Sequence, residues 1–148
     1  MTKYALALVA ALAVSPALAA DLYVAGNLGT KVEGSREGTV GLAVGSELNK
    51  NLRVEGAYEY SLDSKSNNLY GHVMPQATIP GTGITPYVLV GLGVNLESLD
   101  SKPLYVVGAG ARTELTKALD LDLRFRRIDS VDNNDRREVV TAGIALKF

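Results

Sequence analysis

The sequence contains no cysteine, no tryptophan and a single histidine. Without cysteine the protein has neither a disulfide framework nor cysteine metal sites, so its stability must come from backbone pairing and packing. The formal net charge is only −1, from 15 basic and 16 acidic residues, which argues against a nucleic-acid partner. Beyond the amino-terminal segment no apolar run approaches the roughly 20 residues of a transmembrane helix. If the rest of the chain enters a membrane, it must therefore do so as a closed barrel.

The amino-terminal segment has the layout of a secretory signal. Lys3 supplies a positive start, residues 4–14 are apolar, and the tail SPALA (15–19) offers small residues for cleavage. We expect cleavage after Ala19, with Ala20 as the alternative position. A membrane-anchoring helix is disfavoured because the apolar run is too short to cross a bilayer and ends at a proline. Residues 1–19 are thus predicted to be a signal peptide, and residues 20–148 a single domain.

The rest of the chain alternates apolar with polar or small residues in eight segments of roughly ten residues, as transmembrane strands do. The predicted strands are 21–29, 38–48, 52–61, 68–79, 84–94, 103–115, 118–128 and 137–148. Short connections at 49–51, 80–83 and 116–117 alternate with longer polar ones at 30–37, 62–67, 95–102 and 129–136. This alternation is typical of periplasmic turns and outer loops. The sequence predicts an all-β fold, an eight-stranded antiparallel transmembrane β-barrel with up-and-down topology.

The two faces of each predicted strand differ in polarity, most clearly in the seventh. One face carries Leu119, Leu121, Leu123 and Phe125, and the other carries Asp120, Asp122, Arg124 and Arg126. The alternation of apolar and polar residues alone would also fit a water-soluble barrel, in which the apolar face points inward. The charged set, however, is accompanied by many glycines and alanines, which suit a narrow, filled interior. Aromatic residues at strand ends agree with an outward apolar face, namely Tyr58, Tyr60, Tyr105 and Phe125 at the outer rim and Phe148 at the periplasmic rim.

The inward charges are the candidate functional residues, and we expect them to form an ion network that closes the interior. The set is Glu47, Arg53, Glu55, Glu59, Arg112, Asp122, Arg124 and Arg126. Turns centred near Lys50 and Lys117 place Glu47 opposite Arg53 and Arg112 opposite Asp122, where opposite charges attract. The same register places the other four long charges opposite glycines, which are Gly45, Gly41, Gly110 and Gly108. Because the third and seventh strands of such a barrel face each other, Glu55 and Glu59 should meet Arg124 and Arg126 in the lumen.

No catalytic, cofactor or metal site is predicted. The paired glycines at 91–93 and 108–110 lack the third glycine and the strand-to-helix context of a phosphate-binding loop. His72 has no base-orienting partner in the sequence. The acidic segment 129–135 lacks the glycine and terminal glutamate of a known calcium loop, so a solvated turn is the better interpretation.

Three segments resemble the outer-membrane β-barrel superfamily of outer-membrane protein A and the opacity proteins: LYVAGNLG (22–29), TPYVLVGLG (85–93) and GIALKF (143–148). The resemblance spans the mature chain and implies a bacterial outer-membrane location. It also implies contact with outer-membrane lipid and lipopolysaccharide. We expect the protein to be a monomer. Phe148, which shares a face with Ile144 and Leu146, looks like the signal that the family's assembly machinery reads. Lipid A deacylases with this fold use a histidine and a serine two residues later, whereas Met74 follows His72 here.

The expected function is a structural or surface-interaction role of the adhesion type, carried out by a rigid barrel with four polar outer loops. Because a fold does not determine a function, two alternatives remain. One is a narrow, porin-like passive pore, and the other is a lipid A-modifying enzyme.

Overall fold

The computed structural model describes residues 21–34, 36–96, 103–130 and 136–148. Residues 1–20, which include the expected signal peptide, residue 35, residues 97–102 and residues 131–135 lie outside these ranges. No helix among the described residues is long and apolar enough to cross a membrane.

The described chain forms eight strands joined into one sheet. They are β1 (Asp21–Lys31), β2 (Gly38–Asn49), β3 (Leu52–Ser61), β4 (Asn67–Pro75), β5 (Ile84–Asn95), β6 (Leu104–Thr116), β7 (Leu119–Ser130) and β8 (Arg136–Lys147). Consecutive strands pair antiparallel, and β1 also pairs with β8, so the sheet closes into a barrel. Closure leaves no strand edge exposed. The predicted fold class and strand count are confirmed.

Alternating polarity determines which side of the wall each residue faces, because successive side chains of a strand point to opposite faces. On β7, Leu123 is 59% exposed on the outside, whereas Arg124 is 4% exposed on the inside. On β3, likewise, the apolar side chain of Tyr58 is exposed on the outside and the charged side chain of Glu59 is buried on the inside. The apolar face is thus outside, which is the opposite of a water-soluble barrel.

Strand boundaries agree with the prediction to within about two residues, except in β4. The predicted fourth strand continued to residue 79, but β4 ends at Pro75. Proline has no N–H to donate to β5, so the regular ladder stops at the Val73–Val90 pair. Beyond it the two segments are joined by an isolated bridge between Gln76 and Tyr87 and by backbone hydrogen bonds from the Ala77 and Ile79 amides. The hairpin then closes at 80–83, where Gly81 and Gly83 have φ values of +80° and +68°.

Candidate functional site

The interior charges lie in the barrel lumen, and most of them are shielded from solvent. The eight predicted site residues all have inward parity, and all except Glu47 are buried. Charges at this depth persist only if other charges or hydrogen bonds compensate them. The contacts described next supply most of that compensation.

At mid-height, Arg124 on β7 reaches across the lumen to Glu55 on β3. Its Nη1 donates to Glu55 Oε1 at 2.7 Å and its Nη2 to Glu55 Oε2 at 3.2 Å. The second nitrogen also donates to Asp122 Oδ2 at 2.9 Å. Such a fork between guanidinium and carboxylate is strong and geometrically specific. Opposite walls of the barrel are therefore cross-linked at this level.

One step further outward, Arg126 bonds to Glu59 through Nη2 and so links the same two strands again. The Arg126 guanidinium lies 5.6 Å from the centre of the Tyr70 ring. Both ends of this ion pair are buried. The structure thus brings together the two cross-lumen pairs that join β3 with β7.

Near the periplasmic end the contacts differ from the predicted cross-strand pairs. The register does place Glu47 beside Arg53 and Arg112 beside Asp122. Nevertheless, Arg112 bonds to Glu47, and its Nε lies 3.2 Å from Asp120. The directly opposite neighbours are thus adjacent as predicted, but no ion pair joins the members of either pair among the described residues. Long side chains extend away from their own wall, so in a narrow lumen Glu47 on β2 meets Arg112 on the opposing strand β6.

Arg53 is held by aromatic rings instead of a carboxylate. Its guanidinium carbon lies 5.2 Å from the centre of the Tyr23 ring and 4.9 Å from that of Tyr87. No described carboxylate lies within ion-pair distance of Arg53, and its Nε and Nη2 have no hydrogen-bond partner. Cation–π contacts therefore take the place of the predicted bond to Glu47.

The two tyrosines also complete the central network, a role that the sequence analysis missed. Tyr23 Oη donates to Glu55 Oε2 at 2.8 Å, and Tyr87 Oη donates to Asp122 Oδ1 at 2.6 Å. Tyr87 Oη also accepts from Arg124 Nε at 2.9 Å. The signal in the sequence was the alternation of faces, which places each tyrosine on the inward-facing side of its own strand.

The two tyrosines fill the space beside the glycines, which the sequence analysis expected the long charged side chains to use. Gly45 is opposite Glu55 and Gly110 is opposite Arg124, as predicted. A Cβ added at Gly45, however, would collide with the Tyr23 ring, and one added at Gly110 would lie 2.6 Å from the Tyr87 ring. The room beside these glycines is therefore used by neighbouring tyrosines.

His72 belongs to the same buried cluster. Its Nδ1 lies 3.3 Å from Glu55 Oε1, and its ring stacks on Tyr70 with centroids 5.9 Å apart. Met74, two residues later, is also buried in the interior. No serine hydroxyl is hydrogen-bonded to the His72 ring among the described contacts. The described residues contain no group of histidine and carboxylate side chains arranged to hold a metal ion.

The outer half of the interior also contains a group of aliphatic residues that was not predicted. It comprises Leu89, Leu104, Val106, Ile128 and Val139, all buried. The periplasmic end, in contrast, opens into a polar cavity of about 410 Å³ whose walls include Glu47, Gln76 and Arg112. Among the described residues, the periplasmic end of the interior is therefore polar and partly open.

A closed antiparallel barrel with an apolar outer wall and charges inside defines the class of transmembrane outer-membrane barrels. The chain belongs to the outer membrane protein beta-barrel domain family, whose model matches residues 4–148. It is a small barrel of the bacterial outer membrane. No curated protein matches the sequence.

Several solved structures share the fold. The N-terminal β-barrel domain of Pseudomonas aeruginosa OprF aligns with a TM-score of 0.73 and 14% identity, over 88% of this chain and 98% of that one. Neisserial surface protein A aligns with a TM-score of 0.69 and 15% identity, over 86% and 96%. The outer membrane enzyme PagL aligns with a TM-score of 0.62 and 15% identity, over 86% and 99%. At these identities the likeness concerns the fold alone.

Proposed function

We propose that the protein is a non-conducting structural barrel that stabilises the outer membrane and displays its outer loops for surface contacts. The main support is the cross-lumen fork between Arg124 and Glu55, in which both side chains are buried. An interior of eight strands is just wide enough for side chains to fill. Ions would have to displace these charges from each other to pass, so the interior acts as a plug.

Conductance in a planar lipid bilayer tests this proposal. The purified barrel should leave the bilayer current at its baseline, while a known porin in the same bilayer serves as the positive control. The variant Arg124→Ala with Arg126→Ala should produce measurable conductance, because it removes both cross-lumen pairs. Stable single-channel currents from the unmodified barrel would overturn the proposal in favour of the narrow pore.

The proposed surface role is supported by order in two of the outer loops. The Ser64 amide donates to Glu37 Oε1 at 2.8 Å, and the Leu62 amide donates to the Gly38 carbonyl at 2.9 Å. These bonds tie the loop at 62–66 to the end of the loop at 32–37. A preordered loop loses less conformational entropy when it binds a partner.

A loop-exchange experiment separates the structural role from the surface role. Residues 62–66 are replaced by a minimal glycine-rich turn, and the variant is expressed in cells that lack the barrel. Envelope integrity, measured as detergent sensitivity, should be restored by the variant, whereas attachment of the cells to surfaces should not. Failure to restore integrity with a correctly inserted variant would contradict the structural role.

An enzymatic role has weaker support. PagL is an enzyme with a similar fold, but the histidine of this chain is buried inside the lumen beside Glu55. We therefore propose that the protein is not a lipid A-modifying enzyme. Lipid A from cells with and without the barrel should have the same mass spectrum, and a barrel-dependent mass change that is abolished by His72→Ala would contradict this.

We further propose that the barrel is monomeric and that Phe148 is the residue read by the outer-membrane assembly machinery. The Phe148 side chain is 76% exposed and its amide donates to the Leu22 carbonyl, so the ring is presented beside the closing β1–β8 seam. Phe148→Ala should slow insertion in cells while leaving refolding in detergent unchanged. An equal loss in both assays would assign Phe148 a purely structural role.

A further inference from the structure

The outward face of the barrel carries charge at only one place among the described strand residues. Every other outward position of the eight strands is apolar, small, or an uncharged polar residue. The exceptions lie together at the outer end of the last hairpin: Arg127 and Asp129 on β7, and Arg136 and Glu138 on β8. We refer to these four residues as the outer charged patch.

The outer charged patch lies directly above the apolar band. Phe125 precedes Arg127 on the same face of β7, and Tyr105 is the partner of Asp129 in the adjacent strand. Two residues advance a strand by about 6–7 Å, and strand tilt reduces this to about 5 Å along the membrane normal. Because aromatic side chains mark the membrane interface, the patch is at the level of the outer-leaflet head groups.

Asp129 contacts both arginines through their Nε atoms. Its Oδ1 accepts from Arg136 Nε at 3.4 Å, and its Oδ2 lies 3.8 Å from Arg127 Nε. Among the described residues no hydrogen bond or ion pair uses the Nη atoms of either arginine. Asp129 thus lies beside the inner edge of each guanidinium, and within the described part of the chain the terminal nitrogens have no partner.

The contribution of these ion pairs to folding stability does not explain why the four charged residues lie together. The side chains of Arg127, Asp129 and Arg136 are 36%, 42% and 58% exposed, and exposed ion pairs contribute little to folding. Two guanidinium groups whose Nη atoms have no partner among the described residues are well suited to phosphate, which guanidinium groups bind through paired, charge-assisted hydrogen bonds.

We propose that the outer charged patch binds a phosphate group of lipid A, the phosphorylated glycolipid of the outer leaflet, with Arg127 and Arg136 as ligands and Asp129 as the positioning residue. The neighbouring outward residues Phe125, Val107 and Val140 offer an apolar surface to the acyl chains below. This inference rests on the outer-membrane location and not on the closed interior, so each can fail without the other.

Native mass spectrometry of the detergent-solubilised barrel, titrated with bisphosphorylated lipid A, tests the site. Arg127→Gln with Arg136→Gln should weaken binding about tenfold or more, since each lost charged hydrogen bond costs roughly one such factor. Arg36→Gln with Lys65→Gln, which removes the same charge from the exposed outer loops, is the matched control and should change binding less than about twofold by the same reasoning. Gel mobility before and after boiling checks that each variant is folded.

Three further outcomes decide the chemistry. Dephosphorylated lipid A should bind equally weakly to the unmodified barrel and to the patch variant, and a residual difference would mean that the arginines do not recognise phosphate. Inorganic phosphate at millimolar concentration should not displace lipid A, and full displacement would indicate a free-anion site instead. Asp129→Asn should weaken binding although it raises the local charge by one, whereas tighter binding would show that the arginines act by charge alone and would overturn the positioning role. Equal losses in the patch variant and the loop control would refute the site altogether.

Discussion

Replacement of Arg126 by alanine should destabilise the barrel strongly, because it leaves Glu59 buried without compensation. Glu59 is 6% exposed, and Arg126 is its ion-pair partner within the described chain. Removing one member of such a buried pair costs about 3–5 kcal/mol. This pair is better suited to a double-mutant cycle than Arg124 and Glu55, which share hydrogen bonds with Asp122 and other groups.

The reverse substitution, Glu59→Ala, should cost somewhat less. The Arg126 guanidinium would remain 5.6 Å from the Tyr70 ring, and a desolvated cation–π contact offsets about 1–2 kcal/mol. The single change should therefore cost about 1–4 kcal/mol. When both residues are alanine no charge is left unpaired, and only the packing of two side-chain stems is lost, about 1–2 kcal/mol. The coupling energy should thus reach about 2 kcal/mol or more.

Urea titration of the barrel in lipid vesicles measures these free energies of unfolding. Because the chain has no tryptophan, the folded fraction is best followed by the mobility shift between unboiled and boiled samples on gels. The exposed pair of Arg136 and Asp129 is the control, and its coupling should be only about 0–1 kcal/mol. If the Arg126 and Glu59 double variant were as unstable as the sum of the single variants, these residues would not stabilise each other and the proposed plug would lose its physical basis.

Further predictions concern the wall, the small residues and the outer loops. Val90→Arg on the lipid face should cost about 2–4 kcal/mol in the same titration, and Ser64→Arg in an outer loop almost nothing; equal tolerance would contradict the assignment of faces. Gly110→Ala should destabilise by about 1–3 kcal/mol because a tyrosine ring and a backbone carbonyl fill the space above it, whereas at Gly26 nothing lies within 4 Å and alanine should be tolerated. The hydrogen bond from Ser64 lowers the pKa of Glu37 below its ordinary value, so this loop contact is present above the unfolded pKa and is lost as the pH falls through the folded pKa. The protection of the Ser64 amide against hydrogen exchange, relative to the intrinsic rate at each pH, should fall over that acidic range, and an unchanged pH profile in Glu37→Gln would show that the carboxylate is not responsible.

Strand register was predictable from sequence because tight turns join β2 to β3 and β6 to β7. With the turns placed near Lys50 and Lys117, the pairs Glu47–Arg53 and Arg112–Asp122 follow by counting, and the structure has both. A shift of the pairing by one residue would have put the charges on the lipid face, so the alternation of polarity independently requires the same register.

The exception in β4 has a local cause that the alternation of polarity does not reveal. Residues 76–79 continue the apolar and polar pattern, but Pro75 removes a donor from the ladder, and the regular strand ends there. The proline was visible in the sequence, whereas its position relative to the hydrogen-bonding edge of β5 depended on the pairing.

The identity of the ion-pair partners depended on the closed barrel. Glu47 bonds to Arg112 instead of its neighbour Arg53. Glu47 lies on β2 and Arg112 on β6, four strands away on the opposite side of the barrel. Sequence proximity and register describe only adjacent strands. Distances across the lumen depend on the barrel radius and on the stagger of the strands, which arise when β1 pairs with β8.

The filling of the lumen was likewise decided by tertiary structure. Alternation in the sequence determined that charges, glycines and tyrosines share the inner face, because side chains two residues apart point the same way. It could not determine that Tyr23 would occupy the space beside Gly45, or that Arg53 would lie between the rings of Tyr23 and Tyr87. Which side chain fills a given volume depends on all eight walls at once, and that volume exists only after the sheet has closed.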